Sequence, residues 1–302
     1  MSTFVILVTY NALPWIDACL ESVRDYPVVV VDNLSTDATV AHLKSHYPKV
    51  TVLPQATNLG FGQGNNVGIR YALDQGATSV FLLNQDAYMH PGSLSLLLEQ
   101  QHKNPDYGIL SPVHLNGTGT ALDFNFSKYM QSSTEPSFYS DAVLGQSVSL
   151  YTVPFVNAAA WLIRLSCLER VGGFDPLFFH YGEDDNYCQR VLFHGFQIGV
   201  VRDAYVRHDR EARQPQSILP GSLAYWTQKE RNYKIRQGDI RVTPQFSQIE
   251  KKLQKKILFS VLKLRLSEAR LALHELQLVR KIKPGILESR KLNTVLGPTH
   301  LR

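Results

Sequence analysis

Apolar and polar positions alternate in blocks along the first third of the chain. Short apolar or β-branched runs (Phe4 to Thr9, Val28 to Asp32, Val50 to Leu53, Ser79 to Leu83) are separated by longer stretches with apolar residues at helical spacing. Runs this short, with no polar alternation inside them, predict strands buried on both faces. The intervening stretches predict helices from Pro14 to Val23, from Ser35 as N-cap to about Ser45, and from Phe61 to Asp74. The alternation predicts an α/β fold, with a mostly parallel central sheet and helices on both faces.

The pattern then changes. Asn116 to Ser149 is rich in Ser, Thr, Gly and aromatic residues without clear periodicity, and reads as a connecting, acceptor-side loop region. Strand-like composition returns from Thr152 to Leu165, followed by an apolar loop from Phe174 to His180. A helix is expected from Glu183 to about His194, with Glu183, Asp184 and Asp185 at the positive end of its dipole. Phe196 to Val201 and Ala204 to His208 read as closing strands, and Ser222 to Gln237 and Gln248 to Lys281 as helices.

Composition narrows the class. The 302 residues are 44% hydrophobic and 19% charged, which is ordinary for a globular chain and excludes wholesale disorder. No apolar run approaches the ~18 residues of a membrane span, and the first twenty residues read as a strand, not a signal peptide. Cys19, Cys167 and Cys188 are too scattered for a disulfide framework or a metal knuckle, which fits a reducing cytoplasm. The net charge of +5 is uneven: from Lys251 onward 13 Lys and Arg face 3 Glu, a net of +10, and the rest of the chain carries −5. A nucleic-acid-binding body is therefore not expected.

In an open α/β sheet, ligands bind beyond the carboxyl ends of the strands. Four strand ends in a row carry side chains able to hold a sugar, base or phosphate: Tyr10 and Asn11, Asp32 and Asn33, Asn58, and Asn84, Gln85 and Asp86. Turn chemistry explains each alone but explains the set less well. The glycines of Asn58 to Gly68 fit neither frame of the dinucleotide fingerprint, and there is no Walker lysine. Asp86 suits a hard divalent cation that also takes phosphate oxygens, and His208 is a second candidate ligand. Glu183 and Asp184 follow the aromatic loop Phe178 to Tyr181, which is expected to desolvate a carboxylate and raise its basicity.

Taken in order, Val8-Thr9-Tyr10-Asn11, Val31-Asp32-Asn33-x-Ser35-x-Asp37, Asn58-x-Gly60-Phe61-x-x-Gly64-Asn65, Leu83-Asn84-Gln85-Asp86, Gly172-Gly173-Phe174-Asp175, Glu183-Asp184 and His208 resemble the family 2 inverting glycosyltransferases of GT-A fold. The likeness is greatest to the bacterial rhamnosyltransferase-like branch and spans roughly residues 4 to 235. It implies an αβα sandwich in which Thr9, Tyr10, Asn11, Asp32 and Asn33 line the nucleotide pocket. Asn58, Gly60, Phe61 and Asn65 would pack against the nucleotide and its sugar, beside Asn84 and Gln85. Asp86 would hold Mg²⁺ or Mn²⁺ on the diphosphate with His208, and Asp184 would be the base with Glu183 beside it. Two departures matter: the family's Asp-x-Asp has Asn84 in first place, and the processive Gln-x-x-Arg-Trp is Gln228 to Arg231 followed by Asn232.

The resemblance implies a non-processive hexosyltransferase in surface-polysaccharide assembly. It would move rhamnose from dTDP-rhamnose, or a hexose from a UDP-hexose, to a saccharide or lipid-linked acceptor with inversion. A sugar nucleotidyltransferase is the enzymatic alternative, but the first strand is followed by no glycine or basic residue. A non-catalytic nucleotide-sugar-binding protein is the other. The expected domains are 1–237, catalytic, with halves meeting near residue 115, and 238–302, a basic helical extension. Its leucines and lysines read as a single amphipathic helix that lies on an anionic membrane surface, packs on the body, or joins a homodimer. A cytoplasmic protein, peripheral on the inner face of the cell membrane, is the corresponding location.

Overall fold

The computed structural model describes residues 2–132, 138–146, 148–210 and 218–301. Of the expected acceptor-side loop, residues 133–137 and 147 lie outside them. Two compact units result, Met1–Gln214 with Leu296–Arg302, and Pro215–Val295. The helix ending at Gly238 groups with the helices that follow it, on which it packs.

The first unit is built on β1 (Thr3–Thr9), α1 (Ile16–Glu21), β2 (Val28–Asp32), α2 (Thr39–His46), β3 (Thr51–Pro54), α3 (Gly60–Asp74), β4 (Ser79–Asn84), β5 (Ala87–Met89) and α4 (Ser93–Lys103). It continues through β6 (Tyr107–Asn116), α5 (Phe124–Ser132), α6 (Phe138–Leu144), β7 (Leu150–Thr152), β8 (Ala160–Arg164), α7 (Leu165–Val171), α8 (Glu183–Phe193) and β9 (Gln197–His208). The strands form one sheet in the order β3-β2-β1-β4-β8-β6-β9-β5, with β7 also paired to β9. β1, β2, β3, β4, β6 and β9 run one way, and β5, β7 and β8 run against them. The mostly parallel sheet expected from the pattern is present, with its antiparallel members in the second half.

Neighbouring residues on one strand enter opposite cores. Ile6, Val80, Leu82 and Ile163 face one apolar cluster, and Val5, Leu7, Phe81 and Leu83 the other. Burial on both faces is why these strands read as unbroken apolar runs. The chain steps outward from β1 to β2 and β3, then returns through α3 to β4 on the other side of β1. The strand order reverses between β1 and β4, and their carboxyl ends open into the crevice where such sheets bind ligands.

Three local expectations need correction. Ser35 does not cap α2; it closes a turn on Asp32, and the helix begins at Thr39, whose N–H and hydroxyl both donate to Asp37. The aperiodic stretch after Asn116 contains α5 and α6, with Asp123 accepting from the N–H groups of Asn125 and Phe126. The two closing strands are one, β9, with an irregularity in its pairing to β6 after Val201.

The second unit holds α9 (Leu223–Gly238), α10 (Phe246–Leu262) and α11 (Leu266–Asn293). Ser222 caps α9 by accepting from the Tyr225 N–H. The single helix expected over Gln248 to Lys281 is instead a hairpin, because Leu264 adopts φ 56° and ends α10. Among the described residues no helix is long and apolar enough to cross a membrane.

Candidate active site

The ends of β1 and β4 are laced together before any ligand is considered. The Tyr10 N–H donates to the Gln85 side-chain oxygen (2.8 Å), and the Gln85 amide returns a bond to the Tyr10 carbonyl (3.2 Å). One strand over, the Thr9 hydroxyl donates to Asp32 (3.0 Å), which also accepts from the Ser35 N–H (2.9 Å). Asn11 lies at φ 51°, and its side-chain oxygen accepts from the N–H groups of Thr36 and Asp37. Asn33 donates to the Gly60 carbonyl (2.9 Å) and Asn58 accepts from the Gly60 N–H (2.8 Å). Gly60 itself sits at φ 74°, and a Cβ there would lie 2.0 Å from the Phe179 carbonyl oxygen. The glycine-rich stretch is a packing surface: a Cβ on Gly68 would fall 2.4 Å from Ile6 Cγ2.

The late motifs reach the same place by tertiary ties. Asn66 of α3 receives the Phe174 N–H (2.7 Å) and donates to its carbonyl (2.8 Å). Phe174 is fully buried beside Trp161 and Tyr187. Gly172 takes φ 87° against the chain's last residues, and Gly173 donates to the Thr299 carbonyl (2.8 Å). This frame aims the loop from Phe178 into the start of α8, where Glu183 is buried and Asp184 half-buried. Phe179 and Tyr181 remain 63% and 50% exposed, so the aromatic loop is a rim and not a dry cover.

β5 and β9 bring the third element. Their antiparallel register sets Ala87 opposite His208, and the Asp209 N–H donates to the Asp86 carbonyl (2.8 Å). His208 Nε2 consequently lies 3.4 Å from an Asp86 carboxylate oxygen and 3.4 Å from Asn84 Nδ2, with all three side chains largely withdrawn from solvent. The Asn84 side-chain oxygen is buried without a hydrogen bond, as is His208 Nδ1. Among the described residues no group of three or more His, Cys, Asp or Glu could by itself hold a metal. One carboxylate, one imidazole and an amide oxygen fit a cation that takes its remaining ligands from phosphate and water, as Mg²⁺ commonly does.

These parts surround one cavity of about 530 Å³. Thr9, Tyr10, Asn33, Asn58, Gly60, Phe61, Asn84, Gln85, Asp86, Glu183, Asp184 and His208 all line it. Asn11, Asp32 and Asn65 do not: the first two hold the loops behind the wall, and Asn65 donates to the Phe61 carbonyl within α3. The sequence reading missed Asn125, Tyr129, Asn157 and Arg210, which also line it. Asn125 and Tyr129 stand four apart on α5 and so share a face. Asp123 before an apolar stretch was the available signal for that helix. Burial, and then the charge of Asp184, raise the Tyr129 phenol above its ordinary range. Arg210 makes a forked pair with Asp123; burial opposes the carboxylate there, but Arg210 and the Phe126 N–H outweigh it and hold its pKa low. Asn157, almost wholly buried, leaves its side-chain oxygen without a partner. Beside this cavity lies a second depression that shares Asn125, Tyr181 and Arg210 and adds Asn116, Leu122, Asp123 and Phe124.

Residues 4–172 match the family description "Glycosyl transferase family 2", more than half of the chain. The chain belongs to glycosyl transferase family 2. It is a glycosyltransferase of an inverting family. It is 28% identical over 247 residues to the N-acetylglucosaminyl-diphospho-decaprenol L-rhamnosyltransferase of Mycobacterium tuberculosis, covering 71% of this chain and 79% of that one. It is 23% identical to the rhamnosyltransferase WbbL of Escherichia coli, covering 68% and 82%. Among solved structures, S. aureus TarS in complex with UDP superposes with a TM-score of 0.52 at 19% identity, over 78% of this chain and 63% of that one. The mannosyltransferase PcManGT from Pyrobaculum calidifontis, in complex with GDP-Man and Mn²⁺, gives 0.52 at 17% identity, over 95% and 75%. These structural likenesses establish the shared fold.

Proposed function

We propose that this glycosyltransferase moves a single sugar, rhamnose from dTDP-rhamnose or a hexose from a UDP-hexose, to a saccharide or lipid-linked acceptor at the inner face of the cell membrane. The carrying observation is the one cavity in which nucleotide-side strand ends, a cation corner and the α8 carboxylates meet. The rhamnosyl donor is favoured by the rhamnosyltransferases among the relatives, in Mycobacterium tuberculosis, Shigella flexneri and Escherichia coli. The lipid-linked acceptor is favoured by the decaprenol in the first of those names.

In this reading Thr9, Tyr10, Asn33 and Asn58 bind the nucleoside, with Asp32 and Asn11 holding those residues in place. Phe61 and Gly60 pack against the donor, with Asn65 and Gln85 fixing the α3 and β1 segments they touch. Asp86 and His208 would hold a divalent cation, helped by the Asn84 oxygen; bound there, it supplies Lewis-acid neutralisation of diphosphate charge. Asp184 takes the acceptor hydroxyl proton as that oxygen bonds to the anomeric carbon. The bond from that carbon to the diphosphate oxygen breaks on the opposite face, inverting the configuration, and its electron pair leaves with the diphosphate. Glu183, more deeply buried, orients the start of α8. The acceptor enters across the second depression, past Phe124 and Tyr181.

The test is turnover of dTDP-rhamnose against UDP- and GDP-hexoses by wild type and Asp184→Asn. Wild type should turn over one donor clearly best. The variant should bind nucleoside diphosphate normally while transfer falls by ~10²-fold or more. Transfer near the wild-type rate would move the base from Asp184 to Glu183, and no turnover of any donor would overturn the proposed donor class.

A further inference from the structure

The turn between α10 and α11 carries an apolar surface that the second unit does not cover. Leu258, Phe259, Val261, Leu262, Leu264 and Leu266 are 57%, 58%, 47%, 69%, 84% and 58% exposed, within nine consecutive positions. Along the helix bodies exposure is more scattered: Leu253, Ala269, Ala272 and Leu276 are buried, and Leu273 is exposed singly. The apolar stripe that the sequence suggested along one continuous helix is thus divided: its flanks are mostly buried and its middle is exposed.

The turn has a closed geometry. The Arg265 N–H donates to the Ser260 carbonyl (2.8 Å) and the Leu264 N–H to the Val261 carbonyl (2.9 Å), the two bonds of a Schellman cap. Its left-handed residue is normally glycine or asparagine, yet here it is Leu264 at φ 56°, almost entirely exposed. So exposed a side chain buries little apolar area to offset that conformation. Between Lys251 and Arg270 there are also seven Lys and Arg against Glu268 alone, a net of +6.

We infer that this turn is a membrane-insertion tip: its leucines and Phe259 enter the acyl boundary of an anionic phospholipid bilayer while the surrounding lysines and arginines meet the headgroups. Charge selects the occupant. Two copies of the tip packed together would bring like charges near one another, whereas an anionic bilayer offers them opposite charge. The purpose of the docking rests on the lipid-linked acceptor proposed above.

The test is flotation of the full chain with vesicles of phosphatidylglycerol and phosphatidylcholine, against phosphatidylcholine alone. Wild type should float with the anionic vesicles and much less with the neutral ones. Leu262→Ser/Leu264→Gly/Leu266→Ser should lose binding by roughly 10-fold or more, and Lys255→Glu/Lys263→Glu should lose the preference for anionic lipid. Leu264→Gly alone should raise the melting temperature while weakening flotation, opposite signs that a merely structural leucine would not give. Wild type that stays unbound, or a triple variant that floats like wild type, would overturn the inference. So would a wild-type dimer that the triple variant makes monomeric without any vesicle binding. Donor hydrolysis, measured in parallel, should be unchanged in all these variants. Its presence or absence in wild type judges the proposed reaction separately from the docking.

Discussion

At the ends of β1 and β2 the polar side chains are bonded to one another, whereas at the ends of β4 and β9 several buried polar atoms have no protein partner. Asp32 accepts from Thr9 and Ser35, Asn11 from Thr36 and Asp37, and Asn33 ties down Gly60. Across the cavity, the side-chain oxygens of Asn84 and Asn157 and the Nδ1 of His208 are buried without hydrogen bonds. A buried polar atom left unmatched costs about 1–3 kcal/mol. The first region is a scaffold held by its own hydrogen bonds. The second has groups suited to a cation, a phosphate or a sugar hydroxyl.

The contrast can be broken by substitution. Asp32→Ala removes a buried acceptor from Thr9 and Ser35, and should lower stability by about 3 kcal/mol, read by urea unfolding. Nucleotide affinity should recover at low temperature once the fold is restored. An undiminished stability with lost affinity would instead put Asp32 in direct contact with the ligand. Asn157→Leu acts on the other region: it removes an unpartnered oxygen, so the melting temperature should stay level or rise. If that oxygen meets a donor hydroxyl, the donor KM should rise by roughly 10-fold, the equivalent of one hydrogen bond. A melting temperature that falls by several degrees would make Asn157 part of the scaffold.

Much of this was legible in the sequence because it is local. Buried parallel strands announce themselves as β-branched runs, and strand-end residues follow from the sheet's own geometry. Asp86 and His208 could be paired only through the family resemblance, because what joins them is the β5–β9 register between positions 122 residues apart along the chain. Asn125 and Tyr129 were hidden because α5 is short and sits in a Ser-, Thr- and aromatic-rich stretch whose one cue is the cap at Asp123. The hairpin at Leu264 was invisible because leucine is a strong helix former and no glycine or proline marks the break.

The C-terminal segment, held against Gly172 and Gly173, offers the smallest effect. Burial, and then the charge of Arg190, push the His300 imidazole down to about 4, partly opposed by Asp175. An unfolded histidine titrates near ~6.5, so between those values the unfolded chain binds a proton that the folded chain does not. Stability should therefore be intact above pH 6.5 and decline as pH falls toward 4. His300→Gln should flatten that decline in urea titrations, and an unchanged slope would show that the imidazole is protonated alike in both states.

The central claim is that the corner formed by Asn84, Asp86 and His208 binds a cation together with the donor diphosphate. Calorimetric titration of UDP and dTDP into wild type and Asp86→Asn, each with Mn²⁺ and with chelator, measures it directly. The account predicts that Mn²⁺ tightens binding of the preferred nucleotide to wild type, and that Asp86→Asn binds equally with and without the metal. Equal affinity of wild type in metal and in chelator, or full metal enhancement in Asp86→Asn, would contradict it.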